Sequence, residues 1–327
     1  MTTVIKVGGA RAVDPAGALS DVATLANDRG EDVAVVHGGS TAVDETLERL
    51  GVEPEYVETP SGVVGRFTDA ETMEVFEMVF GHLNTQLVAG LQSRSVDAVG
   101  LNGVDGRLLY GPRKSAVRVR EDGTRKIRRG DHSGTIKQVN ADLLETLLAD
   151  GYTPVASPPM AGKDGEAVVP VNTDADRSAA HVAGALDATL VLLTDVEGIY
   201  ADPDDPDTLI ESVETPAEWA DLEAAAEGFM ERKVMAVEEA IDGGADEVVV
   251  ADANADRPVL SALDGGGTHV FASALDGEAN GDGDGEAGAN GDRDGEAGAN
   301  GDEDASEKGA DDTNENGTGT DTREAEQ

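Results

Sequence analysis

Residues 1–12 read MTTVIKVGGARA, and residues 32–45 read DVAVVHGGSTAVDE. Each stretch is a short, β-branched apolar run that ends in paired glycines and gives way to helical spacing. A strand followed by glycines and a helix is the repeating unit of an open α/β sheet, and its carboxyl end is where anions bind, because bare backbone N–H groups and the helix dipole converge there. Gly8 and Gly9 supply that approach after the first run, Gly38 and Gly39 after the second. Lys6 stands inside the first run, between Ile5 and Val7, and an ammonium group at that place would complete a phosphate site. Neither stretch, nor any other, matches GxxxxGK[ST], which excludes a conventional P-loop, and GxGxxG is missing from both turns. Taken alone, each glycine pair also reads as an ordinary tight turn.

The same alternation continues down the chain. TVIKVG, DVAVVHG, VDAVGL, TPVASP, ATLVLLTD, DEVVV and THVFA have strand character, and STAVDETLERLG and NADLLETLLADG have helical spacing. Interleaving of this kind predicts mainly parallel strands covered on both faces, a three-layer αβα sandwich. Between Arg107 and Lys137 the pattern changes. In SAVRVREDGTRKIRRG, Val117 and Val119 alternate with Arg118 and Arg120 about an EDG turn, which predicts a basic two-stranded hairpin projecting from the sheet. From Asp276 the near-identical units GEAGANGDRD and GEAGANGDED carry almost no apolar residues, so residues 276–327 are expected to be a disordered acidic tail and residues 1–275 the folded domain. Asn280, Asp282, Asp284 and Gly285 resemble the start of a calcium loop, but Gly291 occupies the position of the bidentate glutamate.

Composition narrows the function. Among 327 residues there is no cysteine, which removes disulfides, thiolate catalysis and cysteine-ligated zinc. The net charge of −43 argues against nucleic acid as a partner. The segment from Asp276 accounts for −15 of that charge (18 acids, 3 bases), leaving −28 on residues 1–275. So much carboxylate is self-repelling in dilute buffer and tolerated in molar salt, where the Debye length is about 3 Å. The composition is that of a salt-adapted protein. Apolar runs are too short to span a membrane and no leader-like start is present, so a soluble, cytoplasmic protein is expected. The five histidines lack zinc-site spacing, and no metal site is expected of them. Met73, Phe76, Met78 and Phe80 form a helical stripe suited to a core or an oligomer interface, and a homodimer or larger homo-oligomer is expected.

Further along stand VGRFTD, VNTDAD, LTDVEG and MERKV. With IKVGG and HGGS they follow the order and approximate spacing of the amino acid kinase family, and the likeness covers residues 1 to about 275. The fold it implies is that of carbamate kinase-like proteins. Within the family the chain resembles N-acetylglutamate kinases and, most closely, their relatives that phosphorylate glutamate or α-aminoadipate attached to the acidic carrier protein LysW. The resemblance implies ATP with Mg²⁺, Lys6 and Lys233 as the two lysines that face each other across the transferred phosphoryl group, and Asp176 as the aspartate between them. It implies an acyl-substrate lobe over about residues 1–172, with Gly38, Gly39 and Ser40 in the acyl loop, Arg66 on the free carboxylate and Asn172 at the amino end. It implies a nucleotide lobe over about residues 173–275, with Gly8, Gly9, Thr194, Asp195, Gly198 and Tyr200 around the nucleotide. HGGS departs from the family's usual HGGG at Ser40.

Singly, each residue has another reading: Lys6 as an edge-strand lysine, Lys233 as a surface partner of Glu231 or Glu238, Asp176 as a helix cap, Arg66 as a loop ion pair. As an ordered set they point to phosphoryl transfer. The basic hairpin adds a partner. Ten of the 24 basic residues lie from Arg107 to Lys137, against Glu121, Asp122 and Asp131. A patch of +7 on so acidic a chain fits an acidic macromolecule such as LysW, steered by charge. The alternative is arginine pairing with acidic neighbours inside a homodimer, and an enzyme acting on free N-acetylglutamate.

Overall fold

Strand β1 (Thr2–Val7) runs through the middle of a 12-stranded sheet, parallel to β2 (Asp32–His37) on one side and to a later strand, Thr189–Thr194, on the other. The structure is a computed structural model that describes residues 1–8, 15–59, 64–121, 124–202, 205–226 and 229–275. Side chains at 121, 229, 231 and 232 also lie outside the description. The expected acidic tail, Gly9 and the EDG turn residues 122–123 fall outside the described residues.

Helix α1 (Pro15–Ala23) connects β1 to β2, and α2 (Ser40–Leu50) follows the second glycine pair. A small hairpin, β3 (Tyr56–Glu58) and β4 (Val64–Arg66), precedes the long α3 (Ala70–Gln92), which Asp69 caps by accepting from the Thr72 N–H at 2.8 Å. Then come β5 (Ala98–Gly103), the paired β6 (Leu109–Glu121) and β7 (Thr124–Gly134), and β8 (Gln138–Val139). Helix α4 (Ala141–Ala149), the long β9 (Thr153–Asp164) and β10 (Ala167–Val171) complete the half that carries the hairpins. The remainder is α5 (Ala175–Ala185), β11 (Thr189–Thr194), β12 (Ser212–Val213), α6 (Pro216–Ala225), α7 (Phe229–Asp242), β13 (Glu247–Asp252), α8 (Pro258–Leu263) and β14 (Thr268–Phe271).

The sheet order is β12-β14-β13-β11-β1-β2-β9-β6-β7, and it crosses the expected lobe boundary near residue 172 without interruption. All seven strands expected from sequence are present. Each pairs in parallel with at least one neighbour, β14 with β12, but β14 also runs antiparallel to β13, so the sheet is mainly rather than wholly parallel.

The pleat divides the core into two layers. Val4, Ala34, Leu190, Leu192, Val248 and Val250 point to a cluster with α4, α5, α6 and α7. Ile5, Val7, Val35, Val191, Leu193 and Val249 point to one with α1, α3 and α8. Burying one such aliphatic side chain contributes roughly 1.5–3 kcal/mol. Strands with both faces covered cannot show polar alternation, which is why these segments read as continuous apolar runs.

A third cluster packs α2 on the first half of α3 through Val43, Leu47, Met73, Phe76 and Phe80. Met78 leaves the expected stripe: it is 61% exposed, because position 78 faces away from the arc shared by 73, 76 and 80.

Beyond the sheet edge, β6 and β7 continue as the expected basic hairpin, with Val117 opposite Arg128 and Val119 opposite Lys126. Val119 is buried between the exposed Arg118 and Arg120, as the alternation requires. The hairpin is tied along its length to the chain's own carboxylates. Arg113 meets Asp164 at 2.6 Å, Arg120 meets Glu58 at 3.7 Å, and Arg128 grips Glu55. Pairing with acidic neighbours therefore occurs, but within one chain. Lys114, Arg118, Arg125 and Arg129 remain exposed and without an ion pair among the described residues.

Candidate active site

Two-residue periodicity places Lys6 on the same face of β1 as Val4, toward α5 and α7. The strand is central, so the edge-strand reading of Lys6 fails. It is also the strand from which the chain proceeds in both directions across the sheet, the switch point at which open α/β sheets bind ligands. Lys6 is only 7% exposed and needs a counter-charge.

Asp176 supplies it. Helix α5 starts at Asp174, whose carboxylate accepts from the N–H groups of Asp176 and Arg177, so Asp174 and not Asp176 is the cap. The side chain of Asp176 is thereby left for the sheet. Helix α5 has an inner face of small residues, Ser178, Ala179, Ala183 and Gly184, that lets α7 lie close against it. A Cβ on Gly184 would stand 2.7 Å from the backbone of Gly243. Arg177 and Glu239 bridge the two helices, with Nε donating to Oε2 at 2.8 Å.

This packing delivers Lys233 from α7. Lys6 Nζ lies 2.7 Å from Asp176 Oδ1, and Lys233 Nζ lies 3.6 Å from Asp176 Oδ2. Burial opposes ionisation of Asp176, but the two ammonium groups outweigh it and hold its carboxyl below the usual carboxylate range. Two cations share one anion here, so the cluster retains positive charge at the carboxyl edge of the sheet. It can receive a further anion.

The second glycine turn closes on the same edge. Gly38 N–H donates to Val7 C=O at 3.1 Å, and Gly39 caps α2. A Cβ on Gly39 would meet the Leu83 side chain at 2.7 Å and the Phe80 ring at 3.1 Å, so a larger residue there has to displace those side chains. Behind it, His37 Nδ1 donates to Gly38 C=O at 3.0 Å and its Nε2 accepts from Asn84 at 3.2 Å. Burial lowers the His37 pKa to about 4, against the raising effect of the Gly38 carbonyl, so the ring is neutral at physiological pH. Asn84 also lines a cavity of about 390 Å³ with Glu77, Phe80, Leu101, Asp105 and Ser157; the lysine cluster is not part of its wall.

Arg66, expected on a substrate carboxylate, is held by the protein. Nη1 pairs with Asp44; Nη2 donates to Ser40 Oγ at 2.8 Å, Ser40 C=O at 3.0 Å and Tyr56 OH at 3.0 Å. Ser40, the departure from HGGG, thus anchors this arginine. Asn172 follows β10 and donates from Nδ2 to Thr68 Oγ1 at 3.0 Å.

On the other side of β1, Thr194 ends β11 and Asp195 follows it, with Thr194 Oγ1 donating to the Asp195 carboxylate at 3.1 Å. Gly198 is buried where a Cβ would meet Thr268 Oγ1 at 2.6 Å, and Tyr200 donates to Glu197 at 3.2 Å. Gly8 follows Lys6 by two residues. The structure therefore brings Lys6, Asp176 and Lys233 together, joins Ser40 to Arg66, and sets Thr194–Tyr200 after the strand next to β1. Sequence reasoning passed over Asp44, Tyr56, Asp131 and the Arg177–Glu239 bridge. Asp44 was findable, four residues after Ser40 on one helix face; Tyr56 and Asp131 depend on contacts distant in the chain.

A sequence profile of the amino acid kinase family matches residues 1–252. The chain belongs to the amino acid kinase family. It is similar to the [LysW]-aminoadipate kinase of Thermus thermophilus, 42% identical over 270 residues, which cover 82% of this chain and 99% of that protein. It is also similar to the acetylglutamate kinase of Methanopyrus kandleri, 42% identical over 253 residues (76% of this chain, 94% of that one). Among solved structures, carbamate kinase from Giardia lamblia superposes with a TM-score of 0.59 at 17% identity, covering 83% of this chain and 98% of that one, a likeness of fold. No helix among the described residues is long and apolar enough to cross a membrane.

Proposed function

We propose that this chain uses ATP to phosphorylate the side-chain carboxylate of glutamate or α-aminoadipate carried on an acidic LysW-type carrier protein. A carboxylate oxygen attacks the γ-phosphorus, the bond to the β–γ bridging oxygen breaks, ADP leaves, and an acyl phosphate remains. The acceptor is already ionised at neutral pH, so no general base is needed. Repulsion between anions is the barrier, and positioned cations lower it.

The observation that carries the reading is the meeting of Lys6 and Lys233 on Asp176, two ammonium groups from distant parts of the chain at one partly buried carboxylate. In this reading Asp176 keeps both lysines aimed at the phosphoryl oxygens, Gly8, Gly9 and residues Thr194–Tyr200 hold the nucleotide, and Gly38–Ser40, Arg66 and Asn172 hold the acceptor. The acceptor residues then lie in about residues 1–172 and the nucleotide residues in about 173–275. Asp176 is committed to the lysines, and no group of three His, Cys, Asp or Glu suited to a cation occurs among the described residues. Magnesium would arrive on the nucleotide phosphates and would supply charge neutralisation there.

The exposed cations Lys114, Arg118, Arg125 and Arg129, on a chain of net charge −43, support an acidic carrier. The Thermus thermophilus relative, whose name specifies LysW, supports it too. A cytoplasmic, salt-rich setting and a homo-oligomer belong to the same reading. The Methanopyrus kandleri relative favours a second reading, free N-acetylglutamate as acceptor. Turnover with LysW-linked glutamate or α-aminoadipate against free N-acetylglutamate separates them: the carrier reading predicts efficient use of the linked acceptors, and preference for the free derivative rejects it. Glutamate and α-aminoadipate differ by one methylene, worth about 1–3 kcal/mol in an apolar pocket, so both are expected to react.

A further inference from the structure

Asp131 is an acid inside the most basic segment of the chain, and it is 1% exposed. Its carboxylate bonds to Thr68 and Ser133 and not to an arginine among the described residues. Oδ1 accepts from the Thr68 N–H at 3.2 Å; Oδ2 accepts from the Ser133 N–H at 3.1 Å and from the Ser133 hydroxyl. Its backbone carbonyl accepts from Arg113 Nε at 3.3 Å and Nη2 at 3.1 Å. A carboxylate buried with these partners fixes them in place, because each N–H left unpaired would bear its full desolvation cost.

The partner that matters is Thr68, which is fully buried. Its N–H goes to Asp131, its C=O accepts from His132 N–H at 2.7 Å, and its hydroxyl accepts from Asn172 Nδ2. Asn172 is held in turn, with its N–H donating to His132 C=O at 2.7 Å and its C=O accepting from Gly134 N–H at 2.9 Å. The neighbours of Thr68 are tied down as well. Arg128 of the hairpin lies 4.0 Å over the Phe67 ring, Arg66 is held by Asp44 and Ser40, and Asp69 caps α3. Thr68 and Asn172 thus share one network whose hub sits at the root of the basic hairpin, and Arg66, Phe67 and Asp69 flank Thr68 in the chain.

We propose that Asp131 is a positioning residue: through Thr68 it sets the Arg66–Asp69 loop and the Asn172 amide for the acceptor, so the basic hairpin is the scaffold of the acceptor subsite as well as a docking surface. The proposal rests on the assignment of Arg66 and Asn172 to the acceptor. A purely structural Asp131 would affect stability without discriminating between substrates.

Thr68→Val keeps both backbone bonds of residue 68 and removes only the hydroxyl that accepts from Asn172. Steady-state kinetics on Thr68→Val and Asp131→Asn, with carrier-linked α-aminoadipate and with N-acetylglutamate, should show the acceptor KM raised about tenfold with the ATP KM changed less than about twofold. Thr68→Ser should restore the acceptor KM. A lowered melting temperature with unchanged acceptor KM, or equal rises in both KM values, overturns the proposal. If the wild-type enzyme phosphorylates neither acceptor, the acceptor assignment itself fails. Amide hydrogen exchange on Asp131→Asn then decides the positioning role: faster exchange confined to Thr68, Ser133 and Asn172 supports it, and unchanged exchange there overturns it.

Discussion

At the residue scale the account turns on Lys6, Asp176 and Lys233. Replacing either lysine by methionine keeps the apolar stem and removes one positioned charge. Turnover should fall about 10²- to 10³-fold, by analogy with oxyanion-stabilising donors, while far-UV circular dichroism stays that of the wild type. Asp176→Asn leaves the buried Lys6 and the partly buried Lys233 without their carboxylate and should lower both turnover and the melting temperature. His37 gives the second prediction. Its folded pKa of about 4 lies below the ordinary 6.5, so the unfolded chain takes up the proton first as pH falls. The His37 contribution is complete above about pH 6.5, is lost progressively toward about pH 4 and is level below that. Asp176, with its carboxyl held below the usual range, adds a loss at still lower pH, because the unfolded carboxylate takes up its proton before the folded one does. Urea midpoints measured across this range should fall on acidification, and the part between pH 6.5 and 4 should be missing in His37→Gln.

At the element scale, the approach of α5 to α7 decides whether Lys233 reaches Asp176. Gly184→Val places bulk against the Gly243 backbone, so the helices must separate. Overpacking of this kind costs about 1–3 kcal/mol, and turnover should fall by more than that stability loss explains. The elements themselves were legible. Seven strands and helices α2 and α4 follow directly from local periodicity, and the basic hairpin from Val117 and Val119 alternating with arginines. Legibility stopped where an orientation depends on contacts distant in the chain. Met78 shares the helical stripe of Met73 and Phe76 in the sequence but points outward, since α2 covers only one arc of α3. Arg66 could be matched to a motif, yet nothing near it shows that Asp44, Ser40 and Tyr56 occupy its donors. Asp131 reads as a stray acid among arginines until the fold brings Thr68 to it.

At the scale of the whole molecule, charge governs behaviour. With −28 on residues 1–275 alone, self-repulsion should be relieved by salt, and the melting temperature should rise steeply as KCl goes from about 0.1 M toward 2 M. Docking of an acidic carrier on Lys114, Arg118, Arg125 and Arg129 is subject to the same screening, so its KM should rise over that range. The order of strands explains why Lys6, Asp176 and Lys233 gather where they do, since β1 lies between the two directions in which the chain builds its sheet. The most direct test is ATP turnover on a carrier-linked acceptor by the wild type, Lys6→Met, Lys233→Met and the double variant. The account predicts that each single change abolishes nearly all turnover and that the double change loses less than the product of the two, because both lysines act on one phosphoryl group. Wild-type turnover in either single variant would contradict it.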